Sequence, residues 1–117
     1  MLSENFSRAE FVCNCGNCDY DTVDAELVDV LQALRCEFSA PITITSGNRC
    51  STYNVSVGGS RGSYHVRGRA ADIQIKGVEP VIVQQHLKKT YPDQYGIGSY
   101  PLFTHIDTRT KKARWNG

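Results

Sequence analysis

Two histidines and one aspartate, His65, Asp72 and His105, are the residues of this chain best suited to chemistry. Zinc accepts imidazole nitrogen and carboxylate oxygen, and a catalytic zinc site keeps three protein ligands with one position open to water. The set satisfies that count. Alternation along Ala71-Asp-Ile-Gln-Ile75 puts Asp72 and Gln74 on one strand face and Ile73 and Ile75 on the other, so Asp72 leaves the core while Ile73 enters it. His105 is flanked by Phe103 and Ile106 in an apolar strand, where an unpaired imidazole needs a reason to be present. Residue types alone do not decide the matter: two His and one Asp this far apart are more often surface or hydrogen-bonded core residues than a metal site. The third histidine, His86, lies in a Gln-Gln-His-Leu-Lys-Lys stretch and reads as solvated.

A second group of candidate ligands is the cysteines. There are five, an odd number that cannot all pair with one another. Cys13, Cys15 and Cys18 form a C-x-C-x2-C cluster, with Cys36 and Cys50 apart from it. One reading is a structural zinc site completed by a fourth ligand such as Cys36. The weightier one is reduced thiols in a compact loop, with room for one disulfide such as Cys13 to Cys50, because half of a zinc-ribbon pattern is a weak signal.

The elements that must position these groups follow from hydrophobic periodicity. Phe6 and Phe11 are candidate anchors of an ordered entry segment, and Gly16 with Asn17 marks a turn. Leu27, Leu31, Leu34 and Phe38 recur at steps of four, three and four, one face of an amphipathic helix from Asp24 to Phe38. Ser39-Ala-Pro41 ends it, and Ile42-Thr-Ile-Thr45 alternates as a strand. Residues 46–69, rich in Gly, Ser and Arg, read as a long functional loop. Ala71–Ile75 is the second strand, Gly77 breaks it, and Pro80 opens a helix running to Tyr91. Gly96 and Gly98 punctuate a turn before a last strand near Phe103–Thr108. The expected fold is α+β: a small antiparallel sheet with helices packed on one side.

With 117 residues the chain fits a single domain spanning 1–117. A net charge of +1 provides no global field for nucleic acid or an anionic membrane. No apolar run is long enough for a transmembrane helix. The expected form is a monomer.

The local context of the two histidines changes their weighting. Ser63-Tyr-His65-Val-Arg-Gly68-Arg-Ala70-Ala-Asp72 reads S-x-H-x2-G-x-A-x-D. It closely resembles the signature of the zinc D-alanyl-D-alanine carboxypeptidase family, whose fold is shared with hedgehog signalling domains. Ser46-Gly-Asn-Arg49 resembles the family's S-G-x-R element, and Asn54 with Gly58-Gly59 fits the loop after it. Gly96-Ile-Gly98-Ser-Tyr100-Pro-Leu-Phe103-Thr-His105-Ile-Asp107 resembles the G-x-G-x-Y-P…F-x-H-x-D segment of small, often phage-encoded members, and Arg109 and Ala113-Arg-Trp115 fit those members too. The resemblance runs from about Phe6 to Trp115, with its elements in the expected order.

It implies a zinc peptidase acting on peptidoglycan stem peptides or cross-links, as carboxypeptidase or endopeptidase, with His65, Asp72 and His105 as zinc ligands. Arg49 matches an arginine that binds substrate and stabilises the developing oxyanion in relatives, a task suited to a fixed guanidinium; its structural alternative is a loop salt bridge. Ser63 matches a serine that contacts substrate, and is otherwise a loop-capping hydroxyl. Gly68 and Ala70 are small enough to let the metal loop turn onto its strand.

One departure stands out. Many relatives carry Glu or Asp three residues before the final His, as general base; here that position is Leu102. Asp107, two residues after His105 and on the same strand face, becomes the candidate base. Its alternative role is to orient a ligand His or to pair with Arg49 or Arg109. Tyr64 and Tyr100 are further candidates for a polarising hydroxyl. The departure also keeps open a zinc-retaining binding module without turnover, as in hedgehog domains. The basic run Arg109–Arg114 reads as a solvated tail more readily than as a contact to the anionic wall polymer. The opening Met-Leu-Ser-Glu-Asn-Phe lacks the regions of a signal peptide, so phage lysis or phage-tail delivery is the expected route to the wall.

Overall fold

Leu27, Val28, Val30, Leu31 and Leu34 are buried along one side of helix α1 (Ala25–Phe38), as their spacing requires. This is seen in a computed structural model, which describes residues 5, 6, 8–11, 24–47, 65 and 69–117. Helix α1 ends where Ser39 turns into the left-handed region (φ 48°), just ahead of Pro41, which cannot continue a helix. Strand β1 (Ile42–Ser46) follows, then β2 (Ala70–Ile75), helix α2 (Pro80–Thr90), and strands β3 (Gly96–Ser99), β4 (Thr104–Asp107) and β5 (Ala113–Asn116). Gly77, at φ 76°, makes the turn between β2 and α2, and Pro80 opens α2 with the φ it already holds.

The five strands form one sheet in the order β1-β2-β4-β3-β5. Three pairings are antiparallel; β5 lies parallel to β3 on the sheet edge. The α+β class and the one-sided helix packing agree with the sequence, and the sheet is mixed through that single parallel pair. Two local readings are corrected. Gly96 and Gly98 lie inside β3 rather than in a turn, and the last residues of the basic run enter β5 rather than trailing in solvent. Arg114 shows why: its guanidinium donates to Tyr91 O (2.6 Å), Gln94 O (3.1 Å) and Tyr95 O (2.7 Å), satisfying carbonyls of the connection between α2 and β3.

One face of the sheet is apolar. Ile42, Ala71, Ile73, Ile75, Ile97 and Ile106 share a single buried cluster with Leu27, Leu31 and Leu34 of α1 and Val83 and Leu87 of α2. Phe6 and Phe11 are buried in the same cluster, as expected of anchoring residues; Gly16 and Asn17 lie outside the described residues. The Phe11 backbone crosses so close to Gly47 that a Cβ there would lie 2.8 Å from Phe11 Cα. Buried Gln84 of α2 donates to Tyr100 O (3.1 Å), Phe103 O (3.3 Å) and Thr104 Oγ1 (3.2 Å), which pins the turn that leads into β4. With the core on one side, the opposite sheet face is left to the polar residues.

Candidate metal centre

On that opposite face the strand register builds a row. Asp72 of β2 pairs with His105 of β4, His105 with Gly98 of β3, and Gly98 with Trp115 of β5. Directly opposed residues project to the same side, so Asp72 and His105 meet. A register shift between Ile44 and Ser46 bends β1 beside them, and Thr45 Oγ1 donates to Asp72 O (3.1 Å). His65 arrives from the segment between β1 and β2. The two imidazole rings stand edge-on, 5.1 Å between centroids. His65, Asp72 and His105 are all buried, and one ligand atom from each lies within 4.8 Å of the others.

Each histidine has its outward nitrogen tied to an acceptor. His65 Nδ1 is 2.7 Å from Gly47 O, and a carbonyl oxygen only accepts, so Nδ1 carries the hydrogen. His105 Nε2 is 2.7 Å from Asp107 Oδ2, and that carboxylate also accepts from Arg109 Nε and Arg109 Nη2 at 2.8 Å each, and from Gly96 N at 3.1 Å. Asp107 is therefore an acceptor with nothing to donate, and Nε2 carries the hydrogen. In the neutral rings this leaves His65 Nε2 and His105 Nδ1 as lone-pair atoms. They face the same oxygen, Asp72 Oδ1, at 3.3 and 3.1 Å.

Three lone-pair donors thus converge with no hydrogen of the neutral rings between them, an arrangement that calls for a cation. The spacing suits one. Metal–ligand bonds of about 2.0–2.1 Å in a tetrahedral set separate ligand atoms by about 3.3 Å. The donor types, two imidazoles and one carboxylate, are those of borderline metals such as zinc. Electrostatics agree. Burial works to raise the Asp72 carboxyl, but the hydrogen bonds and positive charge that His105 and His65 supply when protonated overcome it and hold the group well below the usual carboxylate range, the pull toward positive charge that a metal ion would also satisfy. Asp107 is held down likewise, against burial, by His105 and Arg109. Burial alone would lower His105, yet its contacts with Asp107 and Asp72 raise it.

The residues around this row explain the Gly-x-Gly of β3. A Cβ on Gly98 would lie 2.7 Å from Trp115 Nε1, and one on Gly96 would lie 2.6 Å from Arg109 Nε. Gly98 thus opens space for the Trp115 ring, which rests 5.0 Å from the His105 ring, and Gly96 for the Asp107–Arg109 pair. Arg109 in turn lies over Trp115, 5.2 Å from its centroid.

A sequence model of the Peptidase M15 family matches residues 4–107 of this chain. The chain belongs to the Peptidase M15 family. Among curated proteins, it is 31% identical over 86 residues to the probable peptidoglycan L,D-endopeptidase MepK of Haemophilus influenzae, an alignment covering 68% of this chain and 45% of that protein. The chain therefore spans less than half of that relative.

In this M15 chain, His65, Asp72 and His105 are brought together, and Asp107 joins them through His105. Arg49 and Ser63 lie outside the described residues, as do Tyr64, Asn54, Gly58, Gly59 and Gly68 of the loop and Cys13, Cys15, Cys18 and Cys50. Cys36 is an exposed cysteine on α1, in no disulfide among the described residues. Leu102 is 76% exposed, with its carbonyl accepting from Gln74 Nε2 (2.9 Å). His86 is half-buried and packs edge-on against Phe38 at 5.3 Å, rather than being simply solvated. Sequence reading missed the roles of Gly47, Gly96, Gly98, Gln84 and Trp115. One signal was available: Gly96 and Gly98 share the two-residue spacing of His105 and Asp107, as opposed positions on paired strands must.

Proposed function

We propose that this chain is a zinc-dependent peptidase that hydrolyses peptide bonds in the stem peptides or cross-links of peptidoglycan. The observation that carries the reading is the convergence of His65 Nε2, His105 Nδ1 and Asp72 Oδ1, each histidine locked by an acceptor on its far side. Membership of a peptidase family and likeness to a probable peptidoglycan endopeptidase supply the reaction and the substrate class. His65, Asp72 and His105 would hold the ion. When bound, zinc would lower the pKa of a coordinated water and polarise the scissile carbonyl.

The chain's own residues do the rest. Gly47 O and Asp107 fix the two ring tautomers so that lone pairs face inward, as partners behind metal-binding histidines commonly do. Asp107 is fully buried and every partner it has donates to it, which favours an orienting role over that of a base exchanging protons with the cleft. Arg49 is proposed to bind a substrate oxygen and steady the charge that develops on it, and Ser63 to contact the peptide. Both rest on their motif positions.

The test is peptide release from purified cell walls, with a turbidity readout, in the presence and absence of a chelator. Chelator-sensitive release that returns on adding zinc is expected. Release indifferent to the chelator would remove the metal from the mechanism. Zinc binding without any release would favour the second reading, a binding module of the same fold, for which the exposed Leu102 in place of a carboxylate speaks.

A further inference from the structure

Tyr100 is held from several directions on the face that carries the metal ligands. Its ring stacks on Phe103, 4.4 Å between centroids and 12° from parallel. Two glycines also lie close to it: a Cβ on Gly98 would lie 2.9 Å from Tyr100 Cε2, and a side chain on Gly117 would run into the ring. The main chain is pinned as well, since Tyr100 O accepts from buried Gln84. Only the hydroxyl reaches a polar partner, Trp115 Nε1 at 3.0 Å.

That partner sets the direction of the phenol. An indole N–H only donates, so the Tyr100 oxygen is the acceptor and its own hydrogen must point elsewhere. Trp115 is the same side chain that rests against His105, so the phenol stands one ring away from a candidate metal ligand. Among the described residues, no hydrogen bond takes that hydrogen. A phenol fixed this tightly, with a hydroxyl hydrogen that no described residue accepts, is a positioned donor, and pre-organised donors are how binding sites fix orientation.

We propose that Tyr100 is a substrate-recognition residue whose hydroxyl donates to a backbone carbonyl oxygen of the peptide lying beside the metal centre. The assignment rests on the peptidase reading and narrows its substrate. The wall next to the donor is the uncharged Tyr100–Phe103 stack, with Leu102 exposed on the same turn. Arg109, the nearby cation, already engages Asp107 through two hydrogen bonds. Such a wall suits a neutral peptide segment and not a carboxylate.

The test uses the zinc-loaded chain and a soluble alanine-containing stem tetrapeptide. Trp115 is the chain's single tryptophan, so its emission titrates peptide binding independently of turnover. Tyr100→Phe keeps the ring stack and removes the donor. It should raise both the peptide Kd and the KM by about 3- to 10-fold, the effect of one neutral hydrogen bond, and retain the wild-type zinc content. Trp115→Phe removes the N–H that aims the phenol, and should raise KM in the same direction by a smaller factor. Kd and KM within twofold of wild type in Tyr100→Phe would overturn the proposal. Loss of zinc in that variant would also overturn it, because Tyr100 would then be supporting the metal centre. A wild type that binds the peptide without cleaving it would sink the peptidase reading, while the Kd comparison still judges Tyr100. A wild type that does neither removes both.

Discussion

Replacing Asp107 by asparagine should weaken metal binding, and the hydrogen-bond pattern says why. Asp107 Oδ2 faces His105 Nε2 and Arg109 Nη2, while Oδ1 faces Arg109 Nε, Gly96 N and Arg109 N. Every one of these neighbours is a donor. The amide NH2 of asparagine must occupy one side or the other, so it meets donors wherever it turns. With NH2 toward His105, the imidazole is driven to the tautomer that carries its hydrogen on Nδ1, the atom that would face the proposed metal. With NH2 toward Gly96, the N–H groups of Gly96 and Arg109 and Arg109 Nε lose an acceptor, while Arg109 Nη2 keeps its own. Losing such a supporting partner typically costs about 10- to 100-fold in metal affinity, or about 1.4–2.8 kcal/mol. The metal-free protein should also lose about 1.5–3 kcal/mol, the worth of hydrogen bonds to a charged group. Competition against a chromogenic chelator measures the first quantity and urea unfolding in excess chelator the second. Unchanged zinc affinity with turnover down ~10²–10⁴-fold would refute this reasoning and return Asp107 to the role of general base.

Other outcomes follow from the same geometry. His65→Ala or His105→Ala should each remove one equivalent of zinc by elemental analysis; a wild type giving two equivalents, with one lost in a Cys15→Ser, Cys18→Ser double variant, would establish a structural cysteine site. Gly98→Ala should destabilise the fold by about 1–3 kcal/mol in chemical unfolding, because its Cβ meets Trp115 and Tyr100, and should disturb Trp115 emission. Burial, and then the 2.7 Å hydrogen bond to Glu26, raise the Tyr95 phenol above its ordinary 10.0. A raised acid stabilises the fold fully below its unfolded pKa, and that stability is lost as pH rises through the folded value. Melting temperature against pH should therefore fall above pH about 10, and Tyr95→Phe should flatten that fall relative to wild type.

Periodicity made most of the elements legible. The Leu27–Leu31–Leu34 spacing needs only a helix with one apolar face, and Ala70–Ile75 only an alternating strand, so both emerge with their ends nearly in place. Gly96 and Gly98 misled because a glycine marks a turn far more often than a close approach of side chains from two other strands. The basic run misled for a related reason: Arg114 looks solvated until the carbonyls of the turn between α2 and β3 are seen to need a donor. Asp107 was placed on His105's side of the strand by alternation, but alternation says nothing of what else lies there.

The sequence by itself determined the types and order of the candidate ligands and the family, because these reside in residue identity and short spacing: S-x-H-x2-G-x-A-x-D and F-x-H-x-D are local patterns. Tertiary structure alone decided which nitrogen of each histidine faces inward. That choice depends on a carbonyl at Gly47 and a carboxylate at Asp107, one 18 residues from His65 and the other two from His105. It also made Asp107 a buried acceptor pinned by Arg109, and brought Trp115 and Tyr100 beside the centre through a parallel edge strand. A tautomer is set by hydrogen-bond partners, and partners are set by which strands lie side by side.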